Sequence, residues 1–421
     1  MRIVFFSILF FTGLPGAMPS LAQSGDFLEA IRLAKERGDR SAMTKKYREL
    51  AAKYPNEIWK ASAEMEEVLL PPDTNIVLNS EPLRPALDTL LRIYESGIAN
   101  DTSQRMNWLI KKSLLTIRFS ALYGERRERA LLSCFREDAN ACPSALVDEY
   151  FLIVFENYRS GKSGLIRLIN IWVEFEELFE HRLQSMDENE ALDVDELRKE
   201  LLGLLPGCDE GASAFRPDRL KPGLSRDSLA AVFKWVEITD CRENFQEGAL
   251  EELCSKEFQS AFWFRKLASF TSNLEQSAAY RQKAIDLESD PLLKAVDYID
   301  LSLLQKLTLD FAAARNSLKT SAGLIPGWGF PYLKHAELLV SGASLCDFSD
   351  FERKAVYWAA IDLCEIARNI DESASEDATK KIFSYRQNMP TTHEVEFRGL
   401  KAGDTFPLRC WMEIATTVKI F

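Results

Sequence analysis

The sequence predicts a mainly α-helical fold of antiparallel helix pairs, closed at the C-terminus by a small β-ribbon. Three observations carry that prediction. Glycine and proline number only 19 and 16 among 421 residues, so few points along the chain break a helix. Apolar residues recur at three- and four-residue steps in segment after segment, the period that sets them on one helical face. Past about residue 390 the pattern changes to alternation, with β-branched and aromatic residues at Glu394–Phe397, Thr405–Trp411 and Thr416–Phe421.

The chain opens with Arg2, an apolar run from Ile3 to Phe11, breakers at Gly13, Pro15 and Gly16, and a small-x-small site at Ser20-Leu21-Ala22. This is the layout of a signal peptide over 1–22, cleaved after Ala22, and it predicts an exported protein, periplasmic or secreted. The apolar run is too short to span a bilayer, which takes roughly 20 residues, and no later stretch offers an integral membrane segment. The formal charge is -12, from 64 acidic against 52 basic residues, and a surface of that sign repels phosphate backbones. Nucleic acid is therefore not an expected partner.

A first helical hairpin follows at once. Phe27, Ala30 and Ala34 share one face, Gly38-Asp39 makes a turn, Met43, Tyr47 and Leu50 line a second helix, and Pro55 ends it. The steps from Met43 to Pro55 return at Ala314, Leu318, Ser321 and Pro326, with shorter echoes at Ser277, Arg281, Ala284 and at Ala360, Cys364, Ala367. Pro291 and Pro331 stand where new helices begin, a position that proline tolerates because its missing N–H is not needed there.

On these residues the chain resembles the tetratricopeptide-repeat family over about 24–57 and, more loosely, 260–372, with a unit of roughly 34 residues. The resemblance implies a tetratricopeptide-like α-solenoid whose concave face receives a peptide or a segment of another protein. The stretch Phe397 to Thr405, continued by Cys410-Trp411 and Thr416-Thr417-Val418, is similar to the ends of uncharacterised repeat proteins of Bacteroidota envelopes. Five segments result: the signal peptide, an N-terminal helical half over 23–185, a linker or mobile insertion over 186–227, repeat-like helices over 228–388, and the ribbon over 389–421, with Trp411 as its apolar anchor. The linker is read from acidic residues between Asp187 and Glu196 followed by Pro206, Gly207, Gly211, Pro217, Pro222 and Gly223.

Chemistry-bearing motifs are thin. The three histidines, His181, His335 and His393, lie far apart, and no paired spacing suits a metal. Gly161-Lys162-Ser163 lacks the earlier glycine of a phosphate loop, since Glu156 stands there, and a calcium loop begun at Asp187 would put Leu192 where glycine is required. No catalytic, metal or cofactor site is expected. Eight cysteines in an exported chain make disulfides possible, with Cys134/Cys142, Cys241/Cys254 and Cys346/Cys364 near neighbours in sequence, although spacing leaves the connectivity open and buried free thiols are the alternative.

The expected function is that of an exported scaffold binding a protein or peptide partner in the cell envelope. Its contact residues are expected at Trp328, Phe330 and Tyr332, in a glycine-flanked loop that would present a rigid amphipathic surface, and at His335. The alternative is an envelope enzyme acting on glycan or peptide through acidic residues such as Glu174, Glu176 and Glu177, since glycoside hydrolysis needs a pair of carboxyls.

Overall fold

The computed structural model describes residues 22–69, 83–185, 192–215, 225–241 and 247–420. The signal peptide, apart from Ala22, lies outside the described residues. The chain divides into two compact units, Met1–Ile153 and Val154–Phe421, a division that falls earlier than the 186–227 segment. Among the described residues no helix is long and apolar enough to cross a membrane.

The first unit opens on the expected hairpin. α1 (Ala22–Glu36) and α2 (Arg40–Lys53) pack against each other across a turn in which Gly38 has φ 69°, a left-handed conformation that glycine adopts without strain. Asp39 caps α2 by accepting a hydrogen bond from the Ala42 N–H at 2.9 Å. Ile31 and Ala34 from the first helix meet Met43, Tyr47 and Leu50 from the second in a core completed by α4 (Arg84–Asn100) and α5 (Arg105–Arg118). The short α3 (Ser62–Leu69) packs on α4, and α6 (Ser120–Glu137) pairs with α5. α7 (Ser144–Arg159) then carries the chain into the second unit.

In the second unit α8 (Leu165–Leu178) and the short α9 (Glu180–Gln184) precede the segment read as a linker. That segment holds two helices, α10 (Asp195–Leu204) and α11 (Cys208–Phe215), before α12 (Arg226–Thr239). Residues 186–191 and 216–224 of that segment lie outside the described residues; of the acidic residues read as its start, Asp195 and Glu196 occupy the first turn of α10, where the helix dipole favours them. Gly211, read as a breaker, is buried against the Trp235 ring: a Cβ there would lie 2.0 Å from it. Glycine marks a close approach at this point, and the Cys208–Cys241 disulfide with the bond from Trp235 Nε1 to the Pro206 carbonyl (3.1 Å) ties the segment to α12. Gly161-Lys162-Ser163 turns between α7 and α8, with Gly161 at φ 71°.

After α13 (Glu247–Glu257) come three successive helix pairs: α14 (Ala261–Phe270) with α15 (Leu274–Leu287), α16 (Pro291–Leu307) with α17 (Phe311–Leu324), and α18 (Phe330–Gly342) with α19 (Asp350–Ile370). Consecutive pairs pack through α15 on α16 and α17 on α18. The recurring residues, small or apolar except for the ion-paired Arg281, fall on the second helix of each pair: Ser277, Arg281 and Ala284 on α15, Ala314, Leu318 and Ser321 on α17, Ala360, Cys364 and Ala367 on α19, all buried. Small side chains let the backbones approach closely enough for cross-helix bonds. Ser277 Oγ donates to the Ala268 carbonyl (2.6 Å) and Ser321 Oγ to that of Ala295 (2.8 Å), each reaching from the second helix to the first.

α20 (Ser375–Arg386) packs on α19, and the C-terminus departs from expectation in one element. Glu394–Phe397 is not a strand but most of a short helix, α21 (Thr392–Phe397). Thr391 and Glu394 form a reciprocal capping box, with Glu394 Oε2 accepting from the Thr391 N–H at 2.7 Å, and that local signal outweighs the alternation. The ribbon itself is two antiparallel strands, β1 (Thr405–Leu408) and β2 (Ile414–Thr417), registered Thr405 to Thr417 and Leu408 to Ile414. A two-stranded ribbon is marginal alone, and this one is held on the repeat helices. Phe406 packs on Phe351 and Trp358 of α19, and Trp411 packs on Phe311 of α17 while donating to the Gly342 carbonyl of α18 (3.3 Å). The Cys346–Cys410 disulfide closes the same contact.

Candidate functional site: a cleft between the first helices of adjacent pairs

α16 and α18, the first helices of neighbouring pairs, lie side by side and enclose a cleft of ≈ 250 Å³ floored by Leu318 of α17. Ile299, Asp300, Ser302, Leu303 and Lys306 reach it from α16, with Asp300 bound by Arg281 (3.1 Å), and Phe330, Lys334, Glu337 and Leu338 from α18. Both sets step by three and four residues, so each is one face of its helix. The walls mix apolar surface with charge, the composition of sites that bind by burial and orient by a few polar groups.

The charges differ in how they are engaged. Glu337 is held by Lys381 (2.6 Å) and Lys334 (3.2 Å). Burial would raise its carboxyl, but these ammonium groups keep it below the usual range. Lys334 also lies 5.0 Å from the centre of the Phe330 ring. Lys306, half-buried, has no acidic partner among the described residues. On the same helix and its following turn, Leu303, Leu307 and Leu309 are 55%, 54% and 70% exposed, an apolar row beside an uncompensated cation. Leu309 has φ 65°, a conformation a bulky residue rarely takes.

Of the four residues expected to contact a partner, Phe330 alone lines this cleft. Trp328 is 8% exposed and stacks beneath Phe330 with ring centres 5.8 Å apart, so it is a core residue and not the exposed contact expected. The flanking glycines explain the burial. Gly327 turns the chain at φ 95°, and a Cβ at Gly329 would lie 2.8 Å from Ala374, so the loop is pressed onto the α19–α20 connection and does not stand clear of it. The Gly329 N–H donates to Asp371 Oδ2 at 2.7 Å. Tyr332 is half-buried against the α18–α19 core. His335 is 5% exposed, its Nε2 has no hydrogen-bond partner among the described residues, and burial, helped by Lys319 and Arg315, lowers its pKa to about 4. It is a neutral interior residue, against the expectation of a groove position.

The acidic triplet of the enzyme alternative is split. Glu176 is buried, accepts from Trp172 Nε1 (2.7 Å) and pairs with Lys234 (2.6 Å) and Lys266 (2.9 Å). Burial would raise its carboxyl, but the two ammonium groups reverse that and hold it at about 2, which leaves it no proton to give near neutral pH. Glu174 and Glu177 line a separate open hollow with Arg167 and Arg226, where burial raises Glu177. A second buried network centres on Arg265, which is bound by Glu180 (2.7 Å), Glu288 (2.6 Å) and Asp297 (2.6 Å), with Arg281 also on Asp297 (2.8 Å). These pairs lock α9, α14, α15 and α16 together and are structural. Among the described residues no cluster of His, Cys, Asp or Glu is placed to hold a metal ion.

The cleft residues other than Phe330 were missed by sequence reasoning. Their signal is the stepping of Ile299, Leu303 and Lys306 against Phe330, Lys334 and Glu337, visible once the second helix of each pair is recognised and the first is read for its outward face.

The helix pairs define a helical-repeat fold. No family model matches the chain, and no curated protein matches it. Among solved structures it is similar to that titled "Structure of Naa15/Naa10 bound to HypK-THB", at 12% identity and TM-score 0.23, over 85% of this chain and 66% of that one. It is also similar to a circular tandem repeat protein with novel repeat topology, at 14% identity and TM-score 0.22, over 90% of this chain and 98% of that one. Both likenesses are slight, and the functional reading rests on the residues themselves.

Proposed function

We propose that this chain is an exported helical-repeat scaffold of the cell envelope, periplasmic or secreted, that binds a segment of a protein or peptide partner in the cleft between α16 and α18. The observation that carries the reading is the unpaired Lys306 beside the exposed leucines of α16, facing Phe330 across the cleft. An uncompensated cation with apolar neighbours suits a segment carrying both apolar and acidic side chains.

The test is capture from the native envelope with the mature chain and with a Leu303→Asp/Lys306→Glu variant, Leu303 being exposed, Lys306 half-buried and neither part of a core cluster among the described residues. A partner held by the wild type and lost by the variant, at unchanged circular dichroism, supports the reading. The same partners on both proteins would refute the cleft. Export is checked separately by N-terminal sequencing of the mature protein, expected to begin at Gln23. If the enzyme alternative holds, the wild type turns over a glycan or peptide library and Glu177→Gln abolishes the turnover.

A further inference from the structure

We propose that Cys134 and Cys142 are a reversible dithiol–disulfide pair, a redox modification site that clamps the connection between α6 and α7 when oxidised. Their sulfurs stand 3.6 Å apart, both side chains are buried, and neither is bonded to another cysteine. A disulfide needs about 2.05 Å between sulfurs, so the pair must close by roughly 1.5 Å.

The local structure permits that closure. Cys134 is fixed in the last turns of α6, but Cys142 sits in the non-helical connector 138–143, whose backbone is not committed to a helical hydrogen-bond ladder. Within the connector Asp138 Oδ1 accepts from the N–H groups of Asn140 (3.0 Å) and Ala141 (3.2 Å), so it has a defined turn of its own. Asp138, Asn140, Ala141 and Pro143 are exposed, which puts the buried Cys142 directly beside solvent-facing neighbours. The reduced pair already fits the fold, and the oxidised pair asks only for a small shift of the connector.

The Cys134 sulfur is also chemically unlike those of Cys254 and Cys364. The hydrogen bond from Cys142 favours the thiolate of Cys134, outweighing burial and the nearby Asp138 charge. Burial raises the thiol of Cys254, and burial with the charges of Glu337 and Glu365 outweighs Lys381 to raise that of Cys364 to about 12, so those two are poor nucleophiles for exchange. The chain meanwhile holds two disulfides of its own, Cys208–Cys241 and Cys346–Cys410.

The oxidant is a small-molecule disulfide. The connector must first open, because Cys134 is 0% exposed in the closed fold; the Cys134 thiolate then attacks one sulfur of the oxidant, breaking that S–S bond and expelling one thiolate. Cys142 then loses its proton and attacks the Cys134 sulfur, expelling the second thiolate and forming the protein disulfide. Two protein thiols are oxidised, one external disulfide is reduced to two thiols, and an excess of the thiol reverses the exchange.

The full chain, equilibrated in glutathione buffers from reducing to oxidising, is quenched with acid, denatured, alkylated, and read by intact mass and peptide mapping. The expected change is from four alkylated cysteines to two, with a linked peptide joining Cys134 to Cys142, and a return to four on adding reduced glutathione in excess. In Cys142→Ser, which lacks the second thiol, Cys134 should instead retain one glutathione. Four alkylated cysteines under oxidising conditions that preserve the other two bonds would overturn the proposal. So would linkage of either residue to a different cysteine, stable glutathione on wild-type Cys134, or a bond that excess thiol fails to reopen.

Discussion

Replacing His335 with leucine removes the one histidine that the fold buries in neutral form, and the consequence can be worked through as a function of pH. His335 is 5% exposed, and burial with the charges of Lys319 and Arg315 lowers its pKa from 6.5 to about 4. Above pH 6.5 the side chain is neutral in both folded and unfolded chains and contributes no pH dependence. As the pH falls through 6.5 the unfolded chain takes up a proton that the folded chain refuses until about pH 4, so stability is lost across that window. At about 1.4 kcal/mol per pKa unit the full loss is roughly 3 kcal/mol, of which about 2 kcal/mol has already gone at pH 5. Amide hydrogen exchange read on a peptide spanning α18 reports this loss without requiring the two units to unfold together. Between pH 7.5 and 5 the wild type should lose about 2 kcal/mol more opening free energy than His335→Leu, after correction for intrinsic exchange. With only three histidines in the chain, the His335 ring resonance is assignable by its absence from the variant, and it should not titrate until about pH 4. A resonance that titrates near 6.5, or equal pH losses in the two proteins, would refute the burial argument.

Trp328→Ala removes a buried ring stacked on Phe330 and should cost about 3–5 kcal/mol, as large core truncations do. A lowered melting temperature would mark it as core, whereas weakened partner capture at unchanged stability would restore it as a contact. Asp297→Ala leaves Arg265 and Arg281 without their shared counter-charge in the interior, and about 3 kcal/mol should be lost in denaturant titration, the low end for a broken buried pair because Arg265 keeps Glu180 and Glu288. Glu176, held at about 2, stabilises the fold above its ordinary value near 4.5, and that contribution disappears as the pH falls toward 2. Glu176→Gln should therefore flatten the acid limb of the stability profile while lowering stability at neutral pH, where Lys234 and Lys266 lose their partner.

How far the sequence disclosed this molecule depended on whether each interaction was local. Helix starts and stops were legible because caps act within four residues: Asp39 before α2 and the prolines opening α16 and α18 all sit where local chemistry demands. The second helix of each pair was legible for the same reason, since small residues at steps of four and three are what a close helix crossing requires. Contacts that join distant parts of the chain left no such trace. Glu180 and Arg265 are 85 residues apart, and the two disulfides join cysteines 33 and 64 residues apart, whereas sequence proximity had suggested nearer pairings.

The misread residues share a physical ambiguity. Glycine is used both where a chain must turn freely and where another group must come close, and only a neighbour distinguishes the two. Gly211 under Trp235 and Gly329 against Ala374 belong to the second kind, so α11, in a stretch read as a linker, is packed and an aromatic read as exposed is buried. The same ambiguity hid the cleft. A binding face carries no small-residue signature, because its purpose is to leave room for side chains that belong to another molecule. Leu303 and Lys306 look from the sequence like ordinary positions on an amphipathic helix. They become candidates only because α18 stands opposite them without covering the leucine and without supplying the lysine with a counter-charge.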